Sequence, residues 1–121
     1  MAAPNLVNVT SINGKTTGAS LTTGSADLLT CATDKLLKIN SIIVSNIDGT
    51  NAATCNVLFY NADNTTAFHI CKVANVAAGD TLIVLGKDAH IYLEEGDKIQ
   101  GLASAASDLE IVISYEEMDD A

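Results

Sequence analysis

The sequence predicts an all-β fold, an antiparallel sandwich of two sheets with a jelly-roll-like character and short N-terminal edge strands or an arm. Three observations predict it. Short runs of aliphatic and β-branched residues recur at roughly ten-residue spacing, as in small β-sandwiches. Asn-Gly, Asp-Gly and Gly-Asp pairs punctuate those runs, and such pairs favour turns. No stretch of about ten residues shows helical spacing of its apolar positions; Asp34–Lys38 and Ala103–Asp108 could hold one helical turn at most.

The N-terminal third is the most polar. Leu6–Ile12 reads as a weak strand ending at an Asn13-Gly14 turn, followed by weak strands at Gly18–Thr23 and Asp27–Cys31. Ile39–Ile47 is rich in β-branched residues and stops at Asp48-Gly49; Thr54–Tyr60 follows, and the two are expected to form a hairpin. Ala67–Val73 is the next strand. The Gly79-Asp80 turn leads into Thr81–Leu85, and His90–Leu93 precedes the Glu94-Glu95-Gly96-Asp97 turn and the strand Lys98–Ala103. Strand, Gly-Asp turn and strand thus recur twice, too few times for a repeat protein. Leu109, Ile111, Ile113 and Tyr115 alternate with Glu110, Val112, Ser114 and Glu116, the two-residue period of a half-buried strand. Like charges in the following acids are expected to end pairing there. The domain reading is therefore 1–35 as N-terminal strands or arm within the same domain, 36–118 as the sandwich core, and 119–121 as an acidic tail.

Composition narrows the function. Only 4% of residues are aromatic and there is no Trp, so the core must be built from Ala, Val, Ile and Leu. The six basic residues are all lysines, against 15 acids, for a formal charge of −9. A chain without arginine lacks the forked donor that grips phosphate, and its net field repels polyanions, so neither nucleic acid nor an anionic membrane is an expected partner. No run reaches the roughly 20 apolar residues that span a bilayer. Met1–Asn5 has neither the basic nor the apolar region of a secretory signal, so synthesis in a cytoplasm is expected. Cys31, Cys55 and Cys71 are too few and too irregular for a disulfide framework and read as small buried hydrophobes.

Sites for chemistry are scarce. His69 and Cys71 alternate along one strand and could share a metal with Cys55, but zinc wants about four ligands and only one short spacing exists. His90 beside Asp88 lacks an accompanying nucleophile. Glu94, Glu95 and Asp97 could offer oxygens to calcium, yet the spacing of a calcium loop is absent and an acidic turn is the simpler reading. No phosphate loop, nucleophile elbow or dinucleotide fingerprint occurs. The expectation is a chain that is not an enzyme, with no metal and no cofactor.

The run from Lys38 to Thr50, the segments Ala77–Leu85 and Ile91–Ile99, and the closing Ile113–Glu117 together resemble small virion structural proteins of tailed bacteriophages, of the head decoration or cement type. The likeness spans about residues 36–118 and rests on strand and turn order. It implies a β-sandwich on the capsid exterior that binds the major capsid protein, often as a homotrimer, and stabilises the head by bridging shell subunits. A tail or fibre component of the virion, or a carbohydrate- or ligand-binding sandwich, is the alternative. Within this reading the Asn5–Thr33 segment is either an arm that adds a strand to a neighbour or an ordinary edge hairpin. Its apolar residues Leu6, Val7, Val9, Ile12 and Leu21 are the candidate partner-binding positions.

Overall fold

The computed structural model describes residues 6–86 and 88–119. A short 3₁₀ turn at Leu6–Asn8 precedes nine strands: β1 (Ser11–Ser20), β2 (Ala26–Thr30), β3 (Lys35–Asn46), β4 (Ala53–Asn61), β5 (Thr66–Val76), β6 (Thr81–Leu85), β7 (Ile91–Leu93), β8 (Lys98–Ala103) and β9 (Leu109–Asp119). One sheet, A, has the order β1-β9-β3-β6, with β7 also on β3; the other, B, has the order β2-β8-β4-β5. All pairs are antiparallel. One set is nested, the first strand with the last, the second with the eighth, the third with the sixth and seventh, and the fourth with the fifth, while β9 also pairs with β3 and β8 with β4 to complete the two sheets. That nesting is the jelly roll.

The two sheets enclose a core of small aliphatic side chains. Leu109, Ile111 and Ile113 of β9, Ile39, Ile42 and Val44 of β3, Val57 of β4 and Ile99 of β8 are each at most 1% exposed. Phe59 and Tyr115 pack half-buried against this core and no aromatic is among its fully buried members, so the aromatic-poor composition is a property of the core itself. Gly101 on β8 faces inward, and a Cβ there would stand 2.8 Å from Leu28 Cδ1 and 3.3 Å from Leu21 Cδ2. The missing side chain lets β8 sit close under those leucines.

One buried polar residue fastens each end. At the end formed by the β3–β4, β5–β6 and β8–β9 loops, Asn46 is 2% exposed. Its Nδ2 donates to the carbonyls of Asn51 and Val76, both at 3.0 Å, and its Oδ1 accepts from the Asp48 N–H at 2.9 Å. At the opposite end Asp97, 3% exposed, accepts from the Ala62 N–H at 2.9 Å and the Glu94 N–H at 3.0 Å. Its carbonyl also accepts from the Cys31 N–H. Gly79 and Gly96 occupy the two Gly-Asp turns with φ of 70° and 83°, a region that only glycine enters freely.

Several expectations are corrected by this pairing. Asn13-Gly14 is not a turn but the middle of β1, because ten consecutive residues pair with β9 and the ladder outweighs the local turn preference. Asp34–Lys38 holds no helical turn; Asp34 takes a left-handed φ of 63° and β3 starts at Lys35. The segments expected to form a hairpin lie in different sheets, since the chain crosses the sandwich between β3 and β4. Residues 11–30 supply one edge strand to each sheet, β1 and β2. The acidic end is a strand through Asp119, paired on both sides. Like charge does not stop it because Lys15 meets Glu117 at 3.0 Å and Lys35 meets Asp119, which Ser11 also contacts. Lys35, then Ser11, hold the Asp119 carboxyl below the usual carboxylate range. Asp120 and Ala121 lie outside the described residues.

Strand β5 carries two bulges. Asn56 of β4 faces both Lys72 and Val73, and a further extra residue sits between Cys71 and His69. At the first bulge Val73 has φ 50°, an uncommon conformation for a β-branched residue, and is held by its N–H donating to Asn56 Oδ1 at 2.7 Å. Its side chain is 62% exposed, so little packing offsets the strain. Val73→Asn is therefore expected to stabilise the fold by about 1 kcal/mol, read as a higher urea midpoint at unchanged slope. A lower midpoint would show that the valine side chain contributes packing after all.

Candidate docking edge

Each sheet has two edges, and three of the four are blunted. β2 is five residues long with a register shift at Asp27/Leu29. β6 and β7 form a broken edge of five and three residues. β5 has its two bulges. Bulges, shortness and interruption all hinder pairing with another chain. β1 differs: it runs ten residues in unbroken register with β9, is free of proline, and is exposed along most of its length. Its outward side chains are small, with Gly14, Thr16, Gly18 and Ser20 on the face of sheet A away from sheet B, so another backbone can approach closely.

The outer face of sheet A continues this surface. Gly18, Val112, Ile43 and Ile83 stand in register across β1, β9, β3 and β6. Val112 is 43% and Ile83 65% exposed. Serines and threonines flank the row: Thr16, Ser114 and Ser41 on one side, Ser20, Ser45 and Thr81 on the other, with Glu110 among the latter. One shallow depression is lined by Gly18, Ala19, Ser20, Glu110, Ile111 and Val112. Another lies over Lys38, Asn40, Ser41 and Glu116, where Asn40 Nδ2 donates to Glu116 at 3.0 Å. Towards the N-terminal end, Ile12, Met118 and Leu36 share a register row. Leu36 alternates with core-facing Leu37, which places this row on the outer face; Leu36 and Met118 are covered while Ile12 remains 58% exposed.

Four of the five partner-binding positions expected from sequence lie just before β1 or in its first two residues. Leu6 and Val7 are exposed in the 3₁₀ turn, Val9 is half-buried, and Ile12 opens β1. Leu21 does not belong with them. It is 1% exposed, packs in the central core, and its N–H donates to the Leu109 carbonyl at 2.9 Å, so it anchors the chain as it leaves β1 and cannot meet a partner. The row Val112, Ile43 and Ile83 is missed by sequence reasoning. Alternation marks Val112 as outward, but which strands lie beside β9 is not encoded in local pattern.

The chemical candidates do not assemble. Cys71 pairs with inward Val57 and His69 with outward Leu58, because the second bulge turns these alternate residues to opposite faces. His69 and His90 are both exposed, the latter edge-on to Tyr92 at 5.5 Å. Both carboxylate oxygens of Asp97 are committed to backbone N–H groups, which withdraws it from the Glu94–Asp97 calcium reading. Among the described residues no three His, Cys, Asp or Glu side chains are grouped as metal ligands, and no helix is long and apolar enough to cross a membrane. The exposed aromatics Phe68 and Tyr92 lie on different sheets and form no shared platform for a sugar.

No family model and no curated protein matches the chain. Among solved structures it is similar to a chain of Bacillus endospore appendages, described as a novel family of disulfide-linked pili. The TM-score is 0.54 at 14% identity, over 94% of this chain and 90% of that one. It is also similar to the Drosophila NLP-core, described in terms of pentamer formation and histone binding, with a TM-score of 0.50 at 12% identity, over 90% of this chain and 100% of that one. At such identities the likeness establishes the fold: the chain is an all-β sandwich of two packed antiparallel sheets.

Proposed function

We propose that this chain is a non-enzymatic structural protein of a tailed-phage virion, a capsid decoration protein that binds the major capsid protein on the head exterior and bridges neighbouring shell subunits. The observation that carries the proposal is the asymmetry of the sheet edges. Three are blunted, while β1 is long, regular and bordered by the exposed apolar residues Leu6, Val7 and Ile12. An edge of this kind accepts a strand from a neighbour through backbone hydrogen bonds, and apolar side chains beside it add area. Such a contact is modest per copy and becomes strong when many copies bind one lattice, as a homotrimer would. The charge of −9 suits the outside of a shell, away from packaged DNA.

The likeness to a pilus chain over 94% of this sequence favours one second reading, a tail or fibre component in which each copy pairs along β1 with the next. Electron microscopy of the virion with the chain labelled at its C terminus separates the two. Decoration of the head expects label over the whole capsid in hundreds of copies. A small number of copies confined to the tail would replace the first reading by the second. In solution, a trimer of roughly 38 kDa, three times the 12.6 kDa of one chain, is expected by light scattering.

A further inference from the structure

The three thiols differ in kind. Cys31 is 2% exposed, its Sγ donates to the Lys35 carbonyl at 3.2 Å, and burial pushes its thiol up to about 11. It is closed off and unreactive. Cys55 on β4 is 1% exposed, whereas Cys71 on β5 is only partly buried, and β5 is the edge strand of its sheet among the described residues. Cys55 pairs with Ala74 and Val57 with Cys71, so the two cysteines stand diagonally across the first bulge of β5 and both face the space between the sheets. The Cys71 Sγ donates to the Cys55 backbone carbonyl at 4.0 Å, which sets its thiol beside the Cys55 residue. The interaction between the two side chains lowers the Cys71 thiol below its ordinary range and raises Cys55, which burial raises further.

We propose that Cys55 and Cys71 form a dithiol site that a small-molecule disulfide of the glutathione class oxidises to an intrachain disulfide, tying edge strand β5 to β4. The exposed partner is the nucleophile and the buried one resolves. The Cys71 thiolate attacks one sulfur of the oxidised glutathione; the S–S bond breaks and one glutathione thiolate leaves, taking a proton from solvent. Cys55 then gives its proton to solvent and its sulfur attacks Cys71 Sγ, expelling the second glutathione thiolate, which is protonated in turn. The protein loses two electrons and two protons, and the oxidised glutathione gains both as two thiols. Because the resolving cysteine stands diagonally beside the attacking one on the paired strand, the mixed disulfide is short-lived and chains are not linked to one another.

The test exposes folded wild-type protein to oxidised glutathione and then counts free thiols, measures the intact mass and maps peptides. One remaining thiol, Cys31, is expected, with a mass loss of two hydrogen atoms, a Cys55–Cys71 linked peptide, and a melting temperature raised by about 10 °C. Cys55→Ala should instead stop at a stable glutathione adduct on Cys71, and Cys31→Ser should behave as wild type. Alkylation of Cys71 should show a pH midpoint below the roughly 8.5 of an ordinary thiol, moving up towards that value in Cys55→Ala. Three free thiols after treatment, a stable adduct on wild-type Cys71, or disulfides joining separate chains would each overturn the proposal. The wild-type measurement stands whether or not the variants fold.

Discussion

Replacing Asp97 by alanine is expected to cost about 3–5 kcal/mol, one of the largest losses available from a single side chain in this fold. Three connections converge on this residue. Its two carboxylate oxygens each accept one backbone N–H, from Ala62 in the β4–β5 loop and from Glu94 at the start of the β7–β8 turn. The Cys31 N–H reaches its carbonyl and the Gly96 N–H returns to the Cys31 carbonyl, which brings in the β2–β3 loop. Removing the carboxylate strands two donors at a site sealed from water, each costing roughly 1–3 kcal/mol. Asp97→Asn keeps one acceptor oxygen and turns an amide N–H₂ towards the other donor, so it should lose about half as much. Urea unfolding of both variants checks the ordering. A loss below about 1 kcal/mol for Asp97→Ala would mean that water satisfies the donors and that the loops hold together without it.

The second large effect lies near the start of β9. Ile111 is 1% exposed and faces sheet B, flanked within its own sheet by β1 and β3. Ile111→Ala should destabilise by about 3–4 kcal/mol, from lost transfer energy and the cavity left between the two sheets. Val112, one residue on, points the opposite way and is 43% exposed. Val112→Ala should cost less than about 1 kcal/mol. Equal losses at the two positions would contradict the alternation on which the assignment of the outer face of sheet A depends.

How much of this was legible in the sequence follows from what kind of information each feature needs. Thr81–Leu85 and Lys98–Ala103 were read with their observed boundaries because turn residues bracket them on both sides. The alternation of Leu109–Tyr115 gave the core face of β9 correctly. Reading failed where pairing overrode local preference. Asn13-Gly14 carries a strong turn signal, yet it lies within a ladder of ten pairs to β9. The acids after Tyr115 looked like a solvated tail because the lysines that neutralise them, Lys15 and Lys35, are far away in sequence. His69 and Cys71 looked like neighbours on one face because a bulge adds a residue that no local pattern announces. Leu21 looked like the rest of its polar segment but sits where the chain turns inward over Gly101. The regularity of the β1 edge was not legible in the sequence, because that β1 alone is long and unblunted depends on the other three edges.

The most direct measurement of the central proposal is co-sedimentation of the purified chain with phage shells that lack it, followed by heating and dilution into low salt. Saturable binding at a fixed ratio to the shell subunit, recovered resistance to heat and low salt, and binding weakened about tenfold or more by Ile12→Asp in a chain that remains folded are expected. Wild-type protein that stays in the supernatant at every concentration, leaving the shells as fragile as before, would contradict it.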